Sequence, residues 1–332
     1  MRVLVTGGAG FIGSNFVRRA VSGAYPGLAG AEFVVLDLLT YAGTLTNLSG
    51  VLDSPRVEFV EGDIRDPALV SKLMGGTDLV VHFAAESHVD RSISGAADFV
   101  STNVVGTQVL LQAALDAGVG KFVHVSTDEV YGSIESGSWP ETWPLEPNSP
   151  YSASKASSDL LARAYHRTHG LNVCITRCSN NYGPHQFPEK VVPLFVSNLL
   201  DGKRVPLYGD GLNVRDWLHV DDHCAGIALV AQAGRAGEIY NIGGGTELTN
   251  KDLTYKLLEA VGADESMVEP VEDRKGHDRR YSVDWSKIHD ELGYSPAVPF
   301  ETGLAEVVAW YRGNRSWWEP LKTASQGAGA HR

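Results

Sequence analysis

The sequence predicts an α/β fold: a doubly wound parallel sheet, followed by a smaller, irregular α/β part at the carboxyl end. Three observations predict it. A short apolar run, Val3 to Thr6, leads directly into the turn Gly7-Gly8-Ala9-Gly10-Phe11-Ile12-Gly13. Strand-like apolar runs then alternate with helical ones to about residue 180, and that alternation implies parallel strands covered by helices on both faces. Beyond it, turn clusters such as Asn180-Asn181-Tyr182-Gly183-Pro184 and Tyr208-Gly209-Asp210-Gly211 break the rhythm.

Taken in order, the glycines at 7, 10 and 13 have separate tasks. They allow a tight turn, close approach of a pyrophosphate to the backbone, and close packing of the next helix (Phe16, Val17, Ala20, Val21), with phosphate at that helix's positive end. This is a Rossmann-type signature for a dinucleotide. The second strand, 32–36, ends at Asp37, whose carboxylate can accept hydrogen bonds from the adenosine ribose and would repel a 2′-phosphate, so NAD is favoured over NADP. Residues 22–31 read as a loop extension without an evident function. A strand at 57–60 precedes a helix at 67–74, and Asp63 between them is placed to meet the adenine. A strand at 78–83 ends in Phe83-Ala84-Ala85, small enough to let the backbone approach the cofactor, and a helix follows through 104–117. A strand at 121–126, a helix at 150–169 and a strand at 172–177 complete the pattern. The expected division is an NAD-binding Rossmann domain at 1–180, a mainly substrate-binding domain at 181–322, and a loose tail at 323–332, which lacks large apolar residues.

At 332 residues the chain can bury a large core, as one big domain or two modest ones. The net charge of −12 argues against general nucleic-acid binding and against anionic membranes. An anionic substrate therefore needs local arginines. No apolar stretch approaches transmembrane length. The first strand carries the dinucleotide turn itself, so no signal peptide is expected and a cytoplasmic location is. Cys174, Cys178 and Cys224 are odd in number and lack Cys-x-x-Cys spacing, which favours buried reduced thiols over bridges or a metal site. His219 and His223 lie four apart, but without a third ligand in register a packing or hydrogen-bonding role is preferred to a metal site. The Trp317-Trp318 pair reads as packing or an intersubunit contact.

The chemistry lies in Ser126-Thr127-Asp128-Glu129 and Tyr151-Ser152-Ala153-Ser154-Lys155. Tyr151 and Lys155, four apart on a helix, share a face, so the ammonium is expected to stabilise the phenolate that takes a proton from a sugar hydroxyl. Each motif alone occurs by chance. Two adjacent carboxylates after a strand add what simple alcohol oxidation does not require: one group to donate a proton and one to remove one.

These residues amount to a resemblance. The chain resembles the extended short-chain dehydrogenase/reductases, and within them the dTDP-glucose 4,6-dehydratases. The motifs are residues 6–13 (Thr-Gly-Gly-Ala-Gly-Phe-Ile-Gly), 84–92 (Ala-Ala-Glu-Ser-His-Val-Asp-Arg-Ser), 126–132 (Ser-Thr-Asp-Glu-Val-Tyr-Gly), 151–155, 180–184, 215–218 (Arg-Asp-Trp-Leu) and 276–280 (Gly-His-Asp-Arg-Arg). The first and fourth are common to the superfamily; the second and third are specific to the dehydratases. The short loop between Gly132 and Tyr151 is a form associated with antibiotic deoxysugar clusters, and the pathway, antibiotic or cell-wall rhamnose, stays open.

The resemblance implies a hydro-lyase in which Tyr151, helped by Lys155 and Thr127, deprotonates the glucose 4-hydroxyl as hydride passes from C4 to NAD. Glu129 then removes the C5 proton, Asp128 protonates the departing C6 hydroxyl, and hydride returns to C6, giving a 4-keto-6-deoxy sugar. It further implies cofactor contacts from Gly7, Gly10, Phe11, Ile12, Gly13, Asp37, Leu38, Thr40, Asp63, Ile64, Phe83, Ala84, Ala85, Ser87, Thr102, Ser126, Tyr151, Lys155 and Asn181. On the substrate side it implies Ser87, Thr127, Asn180, Lys190, Val191, Pro206, Tyr208, Arg215, Asn250, Arg274 and His277. Arg215 and Arg274 are the natural diphosphate clamps, since guanidinium forks match phosphate oxygens; for Arg215 beside Asp216 this is preferred to the plainer reading of a surface ion pair. A homodimer through a four-helix bundle of residues 104–117 and 151–169 is also implied.

Two rivals are weaker. A nucleotide-sugar 4-epimerase shares the glycine turn and the Tyr/Lys pair but has no use for an acid and a base at C5 and C6. A noncatalytic NAD-sensing protein has no use for the Tyr/Lys chemistry.

Overall fold

The computed structural model describes residues 1–273 and 277–329, the last six by their backbone alone. The chain opens with β1 (Arg2–Thr6), α1 (Phe11–Val21), β2 (Glu32–Asp37), β3 (Val57–Glu61), α2 (Pro67–Met74) and β4 (Leu79–His82). A short helix, α3 (Val89–Ser94), precedes α4 (Ala96–Phe99), which continues through a π-helical stretch at Val100–Gly106 into α5 (Thr107–Ala117). Then come β5 (Lys121–Thr127), α6 (Pro150–His169), β6 (Val173–Cys178), β7 (Asn180–Tyr182), α7 (Val191–Leu200), β8 (Val205–Tyr208), β9 (Val214–His219) and α8 (Val220–Ala233). The remainder is β10 (Ile239–Ile242), β11 (Glu247–Thr249), α9 (Asn250–Val261), β12 (Val268–Val271), α10 (Ser286–Leu292), α11 (Phe300–Gly313) and α12 (Arg315–Gly329).

Seven strands form one parallel sheet in the order β10-β6-β5-β4-β1-β2-β3. The winding reverses between β1 and β4, which is where such sheets bind ligands beyond their carboxyl ends. Both faces are covered. Val3 and Val5 join one apolar layer with Phe16 of α1 and Ile227 of α8, while Leu4 joins the other with Val70, Leu110 and Ala162 from α2, α5 and α6. That split is the two-residue alternation of a strand buried on both sides.

The division at residue 180 is not a division in space. Past it the chain returns to the first sheet, laying β10 beside β6 with Ile239 opposite Ile175 and α8 against α1, where Asn15 Nδ2 donates to Asp221 Oδ1 at 2.8 Å. Four residues, two of them Tyr240 and Asn241, are too few and too polar to read as a buried strand. The rest of the carboxyl part has its own core, in which Val196, Trp217, Leu257, Leu304 and Trp318 pack together, beside a three-stranded sheet β11-β9-β7 and a pair β12-β8.

The loop at 22–31 is structural: Tyr25 stacks on Phe16 at 5.5 Å, and Leu28 is buried. The predicted loose tail is helical through Gly329, continuing a helix that buried Trp318 anchors in the core; residues 330–332 lie outside the described region. Trp318 is fully buried, and its indole donates to the Tyr311 carbonyl at 2.7 Å. Trp318→Ala should therefore cost about 3–5 kcal/mol, seen as a lower denaturation midpoint in urea; an unchanged midpoint would show that α12 does not support the core.

Candidate active site

A cleft of about 400 Å³ opens at the carboxyl ends of β1, β2, β4 and β5. Every residue predicted to hold the cofactor lines it. Gly7 has φ +70, and a Cβ there would stand 2.5 Å from the Ala84 nitrogen; a Cβ at Gly13 would stand 2.4 Å from the Gly7 carbonyl oxygen. The cradle is therefore one that side chains would fill. Helix α1 starts behind it with no acidic residue in its first turn, leaving the positive end of the helix open to phosphate. Asp37 accepts from the Ala9 amide at 2.9 Å and the Leu39 amide at 2.8 Å, which fixes its carboxylate at the end of β2. Asp63 is engaged by Arg65, whose Nη1 also reaches Ser101 at 2.9 Å. Glycine backbone, helix end and ribose-side carboxylate in one groove suit a dinucleotide in shape and donor chemistry.

The reactive groups meet at the inner end. Thr127 ends β5, and Asp128–Tyr131 forms a single 3₁₀ turn whose Glu129 amide donates to Thr127 Oγ1 at 3.3 Å; that hydroxyl donates to Asp128 Oδ1 at 3.2 Å. Asp128 is 2% exposed. Burial first, then the charges of Glu129 and Asp216, raise its carboxyl well above the usual range, with Arg215 opposing. Asp128 Oδ2 and Asn180 Oδ1, both on the cleft wall, are buried without a hydrogen-bond partner.

Helix α6 begins with a reciprocal cap between Ser149 and Ser152 and with Pro150 in its first turn, so its start is fixed by sequence. Tyr151 and Lys155 consequently face the cleft from its first two turns. Their electrostatics differ from expectation. Lys155 Nζ donates to the Val125 carbonyl at 2.8 Å, and burial brings its pKa down to about 8. The Tyr151 phenol is raised well above its ordinary value by burial and by Glu129, Cys178 and Asp128, against a hydrogen bond with Thr127. The shared helix face brings both groups to the cleft; one ammonium N–H goes to the Val125 carbonyl and leaves two further donors, while burial sets the direction of the phenol's shift.

Of the substrate-side candidates, Ser87, Thr127, Asn180 and Lys190 line the cleft, and Lys190 Nζ donates to the Ser87 carbonyl at 2.8 Å. Val191 begins α7 next to them. Pro206 and Tyr208 lie on β8, and Asn250 begins α9, where its amide donates to the Asn213 carbonyl at 2.9 Å. None of these four, nor Arg215 or His277, is on the cleft wall itself. His277 pairs with Asp273 at 2.6 Å. Arg274 lies outside the described residues. Arg215 and Asp216 are not a surface pair: both are buried, and as successive strand residues they turn opposite ways. The Arg215 guanidinium stacks 4.1 Å over Tyr281 and donates to the Asp278 carbonyl at 2.9 Å, while Asp216 accepts from the Gly244 and Thr246 amides.

The cleft also takes in residues the sequence reading passed over, including Tyr41, Arg65, Glu86, Asp98, Cys178, Gln186, Phe187 and Glu189. Glu86 belongs to the 84–92 motif; Gln186 to Glu189 come from an irregular segment with no periodic signal. All three cysteines are buried and unpaired. His219 caps α8 through the Asp221 amide, and His223 Nδ1 meets Asn181 Oδ1 at 2.9 Å.

A Rossmann-type cleft that brings Tyr151, Lys155, Asp128 and Glu129 together defines an extended short-chain dehydrogenase/reductase. More narrowly, the chain belongs to the GDP-mannose 4,6 dehydratase family, which it matches over residues 4–307. It is 66% identical over 331 residues to a dTDP-glucose 4,6-dehydratase of Streptomyces antibioticus, an alignment covering 99% of this chain and 98% of that one. A solved structure of DesIV, a dTDP-glucose 4,6-dehydratase from Streptomyces venezuelae with NAD and TYD bound, is 68% identical, covers 97% of this chain and 100% of its own, and superposes with a TM-score of 0.96. A UDP-glucose 4-epimerase from Thermotoga maritima is more distant, at 34% identity, 95% and 100% coverage and a TM-score of 0.86.

Proposed function

We propose that this protein dehydrates dTDP-glucose to dTDP-4-keto-6-deoxyglucose using bound NAD, as a step of deoxysugar biosynthesis. The observation that carries the reading is Asp128: a buried carboxyl whose hold on a proton is raised by burial and by Glu129, close to Tyr151, is the acid that elimination needs and 4-epimerisation does not. When bound in the groove, NAD supplies the hydride acceptor for C4 and the donor for C6. The chain's own residues move the protons. Tyr151 Oη takes the proton of the sugar 4-hydroxyl as the phenolate, a form that burial disfavours and that the Lys155 ammonium on the same cleft wall favours, together with the Thr127 hydroxyl once it turns from Asp128 to the phenolate oxygen. The 4-ketone acidifies C5, Glu129 takes that proton, and Asp128 gives its own to the departing C6 oxygen. Arg215, beside Asp128 in the buried interior, and Lys190 at the cleft wall carry the positive charge that a diphosphate needs in a chain of net charge −12.

Incubation with dTDP-glucose should give a product that develops the near-ultraviolet absorbance of a 4-keto-6-deoxy sugar in alkali; its absence would overturn the reading. UDP-, CDP- and GDP-glucose assayed alongside define the choice of base. NAD should copurify and NADP should not replace it, whereas Asp37→Ala should let NADP support turnover, since the carboxylate at the end of β2 is what a 2′-phosphate meets. Equal turnover of the unaltered protein with both cofactors would remove that role from Asp37.

A homodimer through residues 104–117 and α6 is supported by apolar side chains left in solvent there, Val105 in the π-helical stretch at 47% and Leu160 on α6 at 53% exposure. No helix among the described residues is long and apolar enough to cross a membrane, and three buried, unpaired thiols suit a cytoplasmic location.

A further inference from the structure

We propose that Asp159 is a positioning residue for this reaction, supplying the buried negative charge that keeps Lys155 an ammonium ion during turnover; the inference rests on the function proposed above. Lys155 and Asp159 lie one turn apart on α6, 4% and 0% exposed. The ammonium's hydrogen bond is to a neutral carbonyl, that of Val125. A buried ammonium so placed gives up its proton unless a carboxylate compensates.

The titratable and charged groups packed around this helix face are His82 on β4, His124 on β5, Asp128 and Glu129 in the turn that follows it, Arg177 and Cys178 on β6, and Tyr151 and Asp159 on α6 itself. Burial holds both histidines neutral and the Cys178 thiol and Tyr151 phenol protonated. Asp159 is then the fully buried anion among them, whereas Glu129 is only half-buried. Arg177 Nε donates to its Oδ2 at 2.8 Å and His124 Nε2 lies 3.3 Å from its Oδ1, which together keep the carboxyl ionised down to about 2. Its charge is the first influence that opposes the desolvation of Lys155. Ser158 completes the link, bonding His124 at 3.1 Å and donating to the Lys155 carbonyl at 2.8 Å.

Activity that needs the ammonium is present below the pKa of Lys155 and is lost as pH rises through it. Without Asp159 that pKa falls, so the loss begins at lower pH. The test is the pH profile of kcat and the melting temperature of NAD-loaded wild type, Asp159→Asn, Asp159→Glu and the double variant Asp159→Asn/Arg177→Met, which removes the partner charge that the single change would strand. The double variant should melt closer to wild type than Asp159→Asn, yet lose kcat on the alkaline side about one pH unit or more earlier, with KM little altered. Asp159→Glu, which keeps the charge, should retain the wild-type limb. A wild-type limb in the double variant, or an Asp159→Glu limb displaced as far as that of Asp159→Asn, would reduce Asp159 to a packing role. Wild-type conversion of dTDP-glucose at pH 7 checks the underlying function separately.

Discussion

Tyr151→Phe should lower kcat for dTDP-glucose a hundredfold or more, since a positioned general base contributes roughly 10²–10⁴, and the absorbance of reduced cofactor should never appear. Glu129→Gln should fail differently. Tyr151 and Thr127 remain, so oxidation at C4 can proceed, but the C5 proton has no acceptor. Reduced cofactor should then accumulate on the enzyme without 4-keto-6-deoxy product. Stopped-flow absorbance paired with product analysis reads both steps. An equal loss of cofactor reduction in the two variants would mean that the two residues act in one step and that the division of labour is wrong.

Asp128→Asn should nearly match that loss for the natural substrate while behaving otherwise in one respect. Burial and the charge of Glu129 push the carboxyl toward its protonated form, and Asn keeps its shape without an acidic proton. A substrate with fluoride in place of the C6 hydroxyl needs little acid assistance, so it should recover most of the lost rate in Asp128→Asn and none in Glu129→Gln. Should the fluoro sugar be processed no faster than the natural one by Asp128→Asn, Asp128 would be orienting the sugar and some other group would be the acid.

What could be read from the sequence was set by local chemistry. Gly7, Gly10 and Gly13 announce a backbone that side chains would block, and Tyr151 and Lys155 follow a capped, proline-led helix start, so both sets fall where expected. Strands buried on both faces, such as β1, advertise themselves as apolar runs. β10 does not, because its place depends on a partner strand 64 residues earlier, Ile239 lying opposite Ile175. For the same reason Asp216 reads as a surface charge: its partners, Gly244 and Thr246, arrive from a distant loop. The electrostatics of Tyr151 escaped too, since desolvation is a property of the assembled interior and leaves no mark on the spacing of a tyrosine and a lysine.

The return of the chain to its first sheet makes the dinucleotide half inseparable from the remainder. Cut after residue 180, the protein would lose β10 and α8, leaving β6, all six residues of which are buried, as a bare apolar border ready to pair with another molecule. The groove would also lose Asn181, Gln186 and Lys190 from its rim. A redesign that seeks new sugar specificity by grafting a foreign carboxyl half onto residues 1–180 therefore has to carry over the matching seventh strand and its helix, or it will yield an aggregating fragment in place of a chimaera.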